Sequence, residues 1–204
     1  MELNQVLLPF GKTIYQSLKG QPVSSDTGFF VQYIADHYYS ERAEVLELGS
    51  GCGIISVMLG FYREKFNIHG MDILPELVKL SSLNAEICEL KNVNFEECDL
   101  VDFAGIKLYD LIITNPPYYA EGTGRIPPCE ERAIARFEIK CTMSDVFRTI
   151  KRNLKPNGSA FIMYPFERYE ELSDNAERTK MIKVNEEIYG KNKNKKIIVE
   201  VKHA

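Results

Sequence analysis

The stretch of residues 43–62 constrains the fold more than any other part of this chain. It opens with Ala43-Glu44-Val45-Leu46-Glu47-Leu48, a largely apolar run typical of a buried strand. The loop Gly49-Ser50-Gly51-Cys52-Gly53 follows at once, and the apolar residues after it predict a helix over 54–62. A strand, a tight loop and a helix in this order are typical of the first half of a β-α-β unit, so the sequence predicts a parallel sheet.

The rest of the chain continues the alternation of strands and helices. Further strands are predicted at 67–71, 94–98, 109–114 and 159–163, and further helices at 26–38, 75–90, 143–154 and 167–178. A turn at Pro156-Asn157-Gly158 should precede the strand at 159. The closing segments 181–187 and 197–201 predict an antiparallel hairpin. The expected fold class is therefore α/β, with a doubly wound, mostly parallel sheet and a C-terminal antiparallel hairpin.

Length and composition favour one domain with its own core, because the chain has 204 residues of which 45% are hydrophobic. We expect residues 1–40 to form an N-terminal brace or lid of the same domain, whose main body spans 41–204. The start of the chain does not resemble a signal peptide and no apolar run could span a bilayer, so we expect a cytoplasmic protein without a membrane partner. Five cysteines without a C-x-x-C pair and three scattered histidines predict neither disulfides nor a metal site.

The glycine loop and two aspartates predict a cofactor site. Glycines between a strand and a helix let a ligand approach the backbone, and Asp72 ends the next predicted strand, where an acid would bind two ribose hydroxyls. Gly53 follows Gly51 by two residues, whereas the dinucleotide fingerprint has three, and Glu47 is an acid close to where a pyrophosphate would lie. Both details disfavour a dinucleotide. A cofactor with an amino-acid tail would tolerate Glu47, because its ammonium can pair with a carboxylate. S-adenosylmethionine fits this description. Asp99 follows the third strand and would either accept the adenine amine or cap the next segment.

The run Asn115-Pro116-Pro117-Tyr118 follows the apolar strand 109–114 and predicts a reaction site. Two prolines cannot continue a ladder or a helix, so the backbone leaves the sheet with its carbonyls unpaired. The Asn115 side-chain oxygen and the Pro116 carbonyl can each accept one hydrogen of a planar amine, and Tyr118 can stack on the planar group. The alternative is an ordinary turn at the end of a strand. Together with the glycine loop, the turn indicates methyl transfer to a planar amino group.

These motifs, in this order, resemble those of S-adenosylmethionine-dependent amino-methyltransferases with an NPPY motif. Within that group the chain most resembles the bacterial tRNA(Val) adenine-N6-methyltransferase family, which modifies an adenosine next to the anticodon. The closer resemblance rests on Gln16-x-x-Lys19-Gly20, on Ser25-Asp26-Thr27, on Ala135-Arg136-Phe137-Glu138 and on Leu154-Lys155-Pro156-Asn157-Gly158. The family usually has histidine where Phe137 stands, and its members commonly extend beyond the position of Ala204.

The resemblance implies a Rossmann-like methyltransferase sheet, S-adenosylmethionine as cofactor and tRNA as partner. It implies a catalytic set of Asn115, Pro116, Pro117 and Tyr118 around the target amine. It implies a cofactor-binding set of Glu47, Gly49, Gly51, Gly53, Asp72, Asp99 and Asn115. The helix 26–38 and the segment 119–136 would form the rim that admits a splayed tRNA base, and the latter would be a mobile lid.

The turn chemistry leaves the acceptor open. Methylation of guanine N2 in ribosomal RNA or of a protein glutamine also needs a planar NH2 group, and a noncatalytic RNA-binding module would be a different class of function. The net charge of −4 argues mildly against a protein that coats nucleic acid nonspecifically, yet a docking enzyme needs only a local basic patch. Three groups of basic residues could supply one: Lys12 with Lys19; Arg125 with Arg132 and Arg136; and Lys191, Lys193, Lys195 and Lys196.

Overall fold

The computed structural model describes residues 2–120, 122, 125–191 and 194–204. Its strands are β1 (Leu3–Leu7), β2 (Thr13–Ser17), β3 (Ala43–Leu48), β4 (Phe66–Asp72), β5 (Val93–Glu97), β6 (Tyr109–Thr114), β7 (Leu154–Pro165), β8 (Met181–Tyr189) and β9 (Lys196–His203). Its helices are α1 (Ser25–His37), α2 (Ile54–Tyr62), α3 (Pro75–Ile87), α4 (Glu130–Arg136), α5 (Met143–Asn153) and α6 (Tyr169–Arg178), with a 3-10 turn at Phe166–Arg168.

Seven of the strands form one sheet in the order β5-β4-β3-β6-β7-β9-β8. The five strands from β5 to β7 in that order run parallel, whereas β9 is antiparallel to both β7 and β8. The predicted fold class, a mostly parallel α/β sheet with a C-terminal antiparallel hairpin, is confirmed. Within the described ranges, no helix is long and apolar enough to cross a membrane.

Successive residues of the central strands pack into two separate cores. In β6, Leu111 and Ile113 face the core covered by α1, α2 and α3, while Ile112 faces the core covered by α5 and α6. Val45 and Leu46 of β3 divide between the two cores in the same way. Burial on both faces explains why these strands read as continuous apolar runs rather than as alternating ones.

The topology places a ligand crevice at the ends of β3 and β6. The chain leaves β3 toward β4 on one side and later returns to the other side of β3 as β6, so the strand order reverses between them. Open α/β sheets bind ligands beyond the carboxyl ends of the strands at such a reversal. The Thr114 hydroxyl donates to the Leu48 carbonyl at 2.9 Å, which fixes the two strand ends beside each other.

The N-terminal region differs from the sequence prediction. The first 20 residues contain an antiparallel hairpin, β1 with β2, that was not predicted. It is fixed by tertiary contacts, since the Asn84 side chain of α3 bonds both the N–H and the carbonyl of Tyr15 at 2.8 Å. The predicted lid segment 119–136 contains the helix α4, and residues 121, 123 and 124 of it lie outside the described residues. Arg132 in that helix donates to the carbonyls of Leu18 and Gly20.

The entry into β7 also differs from the prediction. Instead of a turn before a strand at Ser159, the strand begins at Leu154 directly after α5. In the ladder between β6 and β7, Tyr109 pairs with Leu154 and Leu111 pairs with Ser159. The register shifts between these two pairs, and Pro156-Asn157-Gly158 lie at the shift. A proline cannot donate to a ladder, which is why the extra residues bulge there.

Candidate active site

A cavity of about 350 Å³ opens at the carboxyl ends of β3, β4 and β6. Nine of the ten residues predicted as site residues line it together: Glu47, Gly49, Gly51, Asp72, Asp99, Asn115, Pro116, Pro117 and Tyr118. The remaining predicted residue, Gly53, is not part of the lining. The start of α1 and the end of α4 contribute the other walls, as expected for a rim built from 26–38 and 119–136.

The glycine loop leaves room for a ligand at Gly51. This residue has a φ of +55°, and a Cβ atom built on it would meet nothing within 4 Å. Its N–H donates to Asp72 Oδ2 at 2.8 Å, and the N–H of Ser50 donates to the Met71 carbonyl at 2.8 Å, so the loop is held against the end of β4. The buried Ser50 hydroxyl has no partner within the described chain. An open backbone cradle with an unpaired hydroxyl suits the polar tail of a cofactor.

Gly53 has a structural position rather than a place in the cavity wall. Its φ is +80°, and a Cβ atom there would lie 2.7 Å from both Phe95 Cζ and Ser81 Cβ. Predicted as a cofactor-binding residue, Gly53 instead lets α2 begin close to α3 and β5. The glycine is required for the packing that holds the loop in place.

Gly53→Ala should therefore lower the free energy of unfolding by about 2–4 kcal/mol, because strain of the left-handed backbone adds to the clash with Phe95 and Ser81. The matched control is Gly28→Ala in the interior of α1, where a Cβ atom meets nothing within 4 Å. That change should raise stability by about 0.5–1 kcal/mol. Urea unfolding of both variants measures the difference, and equal stabilities would contradict the packing role of Gly53.

Glu47 ends β3 as a buried carboxyl, with 1% of its surface exposed. Its Oε2 accepts hydrogen bonds from the Ser56 N–H, at 3.1 Å, and from the Ser56 hydroxyl. Burial raises the pKa of Glu47 to about 8, despite the opposing effect of the two Ser56 donors, and the nearby Asp72 charge raises it further. In the absence of a cationic partner the carboxyl is therefore largely protonated at neutral pH.

The raised pKa predicts a pH-dependent stability that Glu47→Gln removes. Between the unfolded pKa near 4.5 and the folded pKa of about 8, the folded state binds one more proton than the unfolded state. Stability from this group should thus fall as pH rises through that window. Melting temperatures measured from pH 5.5 to 8.5 should decline more steeply for the wild type than for Glu47→Gln, whose amide oxygen still accepts from Ser56. Parallel curves would contradict a protonated Glu47.

Asp72 and Asp99 line the same cavity at the ends of β4 and β5. Asp72 accepts from the Gly51 N–H through Oδ2 and from the Leu74 N–H, at 3.0 Å, through Oδ1. Burial raises the pKa of Asp72, whereas these backbone donors oppose the rise. Asp99 Oδ1 accepts from the Val101 N–H at 2.9 Å, which is the capping contact considered as the alternative for this residue. Each carboxylate oxygen can accept a further bond, so capping does not prevent ligand binding.

The turn after β6 is held in one conformation by its own side chains. The Tyr118 hydroxyl donates to Asn115 Oδ1, and burial raises the pKa of this tyrosine, which keeps the hydroxyl a donor. The N–H groups of Tyr118 and Tyr119 donate to the Arg136 carbonyl at 3.1 and 2.9 Å. Asn115 Oδ1 retains one lone pair, and the side-chain nitrogen of Asn115 retains two N–H donors. The Asn115 oxygen is thus fixed at the cavity wall and still able to accept a hydrogen bond.

Phe137 takes an apolar position beside this turn. Only 5% of its surface is exposed, and its ring lies 5.3 Å from that of Tyr119. A backbone bridge joins the same two residues. The phenylalanine at the place of the family's usual histidine therefore packs the turn against the end of α4.

Two charged residues of the cavity were not assigned to it from the sequence, Lys140 and Lys196. Lys196 had been noted only in a basic C-terminal group. The Lys196 ammonium lies 4.0 Å from the centroid of the Tyr118 ring. Lys193, from the same basic group, lies outside the described residues. The contact arises because Lys196 pairs with Pro165 in the ladder of β9 and β7, a register that no local pattern reveals.

The chain belongs to the methyltransferase domain family, whose profile matches residues 40–202. Membership confirms the enzyme class expected from the motifs, a methyltransferase that uses S-adenosylmethionine. It leaves the acceptor undetermined.

Individual relatives are named methyltransferases, and a solved structure shares the fold. A release factor glutamine methyltransferase of Shewanella oneidensis is 28% identical over 154 residues, which cover 72% of this chain and 54% of the relative. A tRNA1(Val) (adenine(37)-N6)-methyltransferase of Aliivibrio salmonicida is 27% identical over 150 residues, covering 73% of this chain and 62% of the relative. The match thus spans under two thirds of either relative. The structure of M. jannaschii TYW2 in complex with AdoMet superposes with a TM-score of 0.67 at 13% identity, over 99% of this chain and 87% of that chain.

Proposed function

We propose that this chain transfers a methyl group from S-adenosylmethionine to the exocyclic N6 amine of an adenosine in tRNA, next to the anticodon. The observation that carries the proposal is that Asn115 and Tyr118 line one cavity with Glu47, Gly51 and Asp72. Groups that can bind a planar amine and groups that can bind a nucleoside with an amino-acid tail thus line the same cavity.

The residues present fit the cofactor at each of its parts. Glu47 offers a carboxyl to the ammonium of the methionine tail, and an ammonium there would lower the raised pKa of that carboxyl. Gly51 and Ser50 offer a backbone without a Cβ obstacle and an unpaired hydroxyl. Asp72 offers acceptors for ribose hydroxyls, and Asp99 an acceptor for the adenine amine. When bound, the cofactor supplies an electrophilic methyl group on a sulfonium.

The turn after β6 would orient and polarise the acceptor amine. Asn115 Oδ1 accepts one amine hydrogen with its remaining lone pair, and the Pro116 carbonyl accepts the other. Both acceptors stabilise the positive charge that develops on the nitrogen as the N–CH3 bond forms and the S–CH3 bond breaks. The sulfur would leave as a neutral thioether, and the methylated amine would lose one proton to solvent. Tyr118 keeps the Asn115 oxygen in place through its hydroxyl, so little reorganisation is needed when the amine is attacked.

Methylation of a protein glutamine is the second candidate, because several of the relatives are named release factor glutamine methyltransferases. A glutamine amide presents the same planar NH2 group, so the turn alone does not distinguish it from adenine. The chemistry around the cavity entrance, not the turn, has to separate the two acceptors.

The test is label transfer from S-adenosylmethionine carrying a tritiated methyl group. Unmodified tRNA, ribosomal RNA and a release-factor protein are offered separately and then together to the purified chain. We expect label in the tRNA fraction when all three compete. Label found only in protein would overturn the tRNA assignment in favour of the glutamine reaction.

A further inference from the structure

Two cations beside the acceptor turn have no carboxylate partner among the described residues. Lys196 lies with its ammonium 4.0 Å from the Tyr118 ring centroid, and the Arg136 guanidinium lies 5.3 Å from that of Tyr119. Both residues line the cavity. Across the part of the chain that the structure describes, neither forms an ion pair with an acidic side chain. Their positive charges are thus available to a ligand.

A nearby arginine shows that a cation over a tyrosine ring in this region can also have carboxylate partners. Arg168 also lies over a tyrosine ring, 5.3 Å from that of Tyr164, yet its guanidinium binds Glu138 at 2.7 Å and Glu171 at 2.6 Å. These two carboxylates neutralise the charge of Arg168 within the protein. Its guanidinium also donates to the Tyr118 carbonyl. Lys196 and Arg136 differ because neither forms an ion pair with a carboxylate of residues 2–120, 122, 125–191 or 194–204.

The balance of charge differs between the inner wall and the rim of the cavity, where Arg136, Lys140 and Lys196 outnumber Asp26. The inner wall carries the carboxyl groups of Glu47, Asp72 and Asp99, which suit the cofactor's hydroxyl and amino groups rather than an anion. The cofactor carries one carboxylate on its methionine tail, but Lys196 and Arg136 lie beside the acceptor turn, where they suit an anion that belongs to the acceptor. A nucleotide carries a phosphate next to its base, whereas a glutamine side chain and its peptide backbone carry no charge.

Tyr118 sets the separation between the reacting amine and the cation. Its hydroxyl contacts Asn115 at one end, and its ring face contacts Lys196. An acceptor whose amine reaches Asn115 thus has the Lys196 ammonium beyond the Tyr118 ring. In a nucleotide, the phosphate is joined through the sugar to the side of the base away from the exocyclic amine.

We propose that Lys196, assisted by Arg136, binds the phosphodiester backbone of the nucleotide whose base enters the cavity, and so selects a nucleic acid over a protein acceptor. This inference rests on the proposed methyl transfer at Asn115. The phosphate contact positions the strand and carries no base preference. Lys196 acts as a specificity-determining residue through its charge.

The experiment compares Lys196→Gln with Lys195→Gln, a matched loss of one positive charge from the neighbouring residue, which does not line the cavity. Methylation of an anticodon stem-loop RNA is measured from 50 to 300 mM salt. Lys196→Gln should raise the KM for RNA about tenfold, leave kcat within about twofold and reduce the salt slope of log kcat/KM by about 1. Lys195→Gln should change none of these by more than about twofold.

A second arm replaces the phosphate next to the target nucleoside by an uncharged methylphosphonate. This RNA should lose about tenfold in kcat/KM with the wild type and no more than about twofold with Lys196→Gln, since the contact is already absent. Melting temperature and calorimetric affinity for S-adenosylmethionine should be the same in all variants, which excludes misfolding.

The possible failures are distinguishable. A wild type that labels protein but no RNA refutes the proposed function itself. A wild type that labels RNA, with Lys196→Gln indistinguishable from Lys195→Gln, refutes only the phosphate contact. A fall in kcat without a change in KM also refutes it, because Lys196 would then act on Tyr118 rather than on the RNA backbone.

Discussion

Asn115→Ala should reduce the kcat for methyl transfer by about 10²–10³-fold while leaving the dissociation constant for S-adenosylmethionine within about twofold. The reason is geometric. The Asn115 oxygen is the acceptor that the Tyr118 hydroxyl fixes at the cavity wall, and alanine removes it without disturbing the glycine loop on β3. Steady-state kinetics and isothermal titration calorimetry measure the two quantities. Unchanged turnover would contradict the role of the turn.

Tyr118→Phe separates positioning from direct contact at the same turn. The substitution removes the hydroxyl that donates to Asn115 and retains the ring against Lys196. It should cost less than Asn115→Ala, because the oxygen remains but is no longer held. An effect larger than that of Asn115→Ala would show that the tyrosine hydroxyl, and not the asparagine oxygen, contacts the amine.

Asp72→Ala should weaken the affinity for S-adenosylmethionine by about 10–100-fold, equivalent to about 1.4–2.7 kcal/mol. The change removes the predicted acceptors for the ribose hydroxyls. It also frees the N–H groups of Gly51 and Leu74, which Asp72 holds at 2.8 and 3.0 Å, so the glycine loop loses its fixed position. Two hydrogen bonds to a charged group justify an effect of this size.

A matched control removes one negative charge from a residue outside the cavity wall. Asp174 is exposed on α6 and does not line the cavity, so Asp174→Ala should leave the calorimetric affinity unchanged. Asp72→Asn retains an oxygen for one of the backbone donors and should fall between the wild type and Asp72→Ala. Equal affinities for Asp72→Ala and Asp174→Ala would remove Asp72 from the ribose site.

The central strands and the glycine loop could be predicted because their signals are local. The prediction matched the bounds of β3, α2 and β6, where apolar runs are interrupted by glycines after Leu48 and by prolines after Asn115. Since parallel strands end at the same edge of the sheet, the residues after β3, β4 and β6 were expected to meet. The structure brings all of them but Gly53 into one cavity.

The parts that escaped prediction depend on contacts between distant segments. The hairpin β1-β2 has mixed polar sequences of five residues each, and its position is fixed by Asn84 rather than by a periodic pattern. Helix α4 has seven residues and is fixed by Arg132 and by Glu131, which accepts from Ser17 at 2.9 Å. The contact of Lys196 with Tyr118 depends on a strand register between β7 and β9.

The most direct test of the central claim is nucleoside mass spectrometry on tRNA methylated by the purified chain. The RNA is digested to nucleosides after reaction with S-adenosylmethionine carrying a deuterated methyl group, and Asn115→Ala serves as the inactive control. We expect deuterated N6-methyladenosine with the wild type and none with the variant. Deuterated N2-methylguanosine in its place, or label confined to protein glutamine, would contradict it.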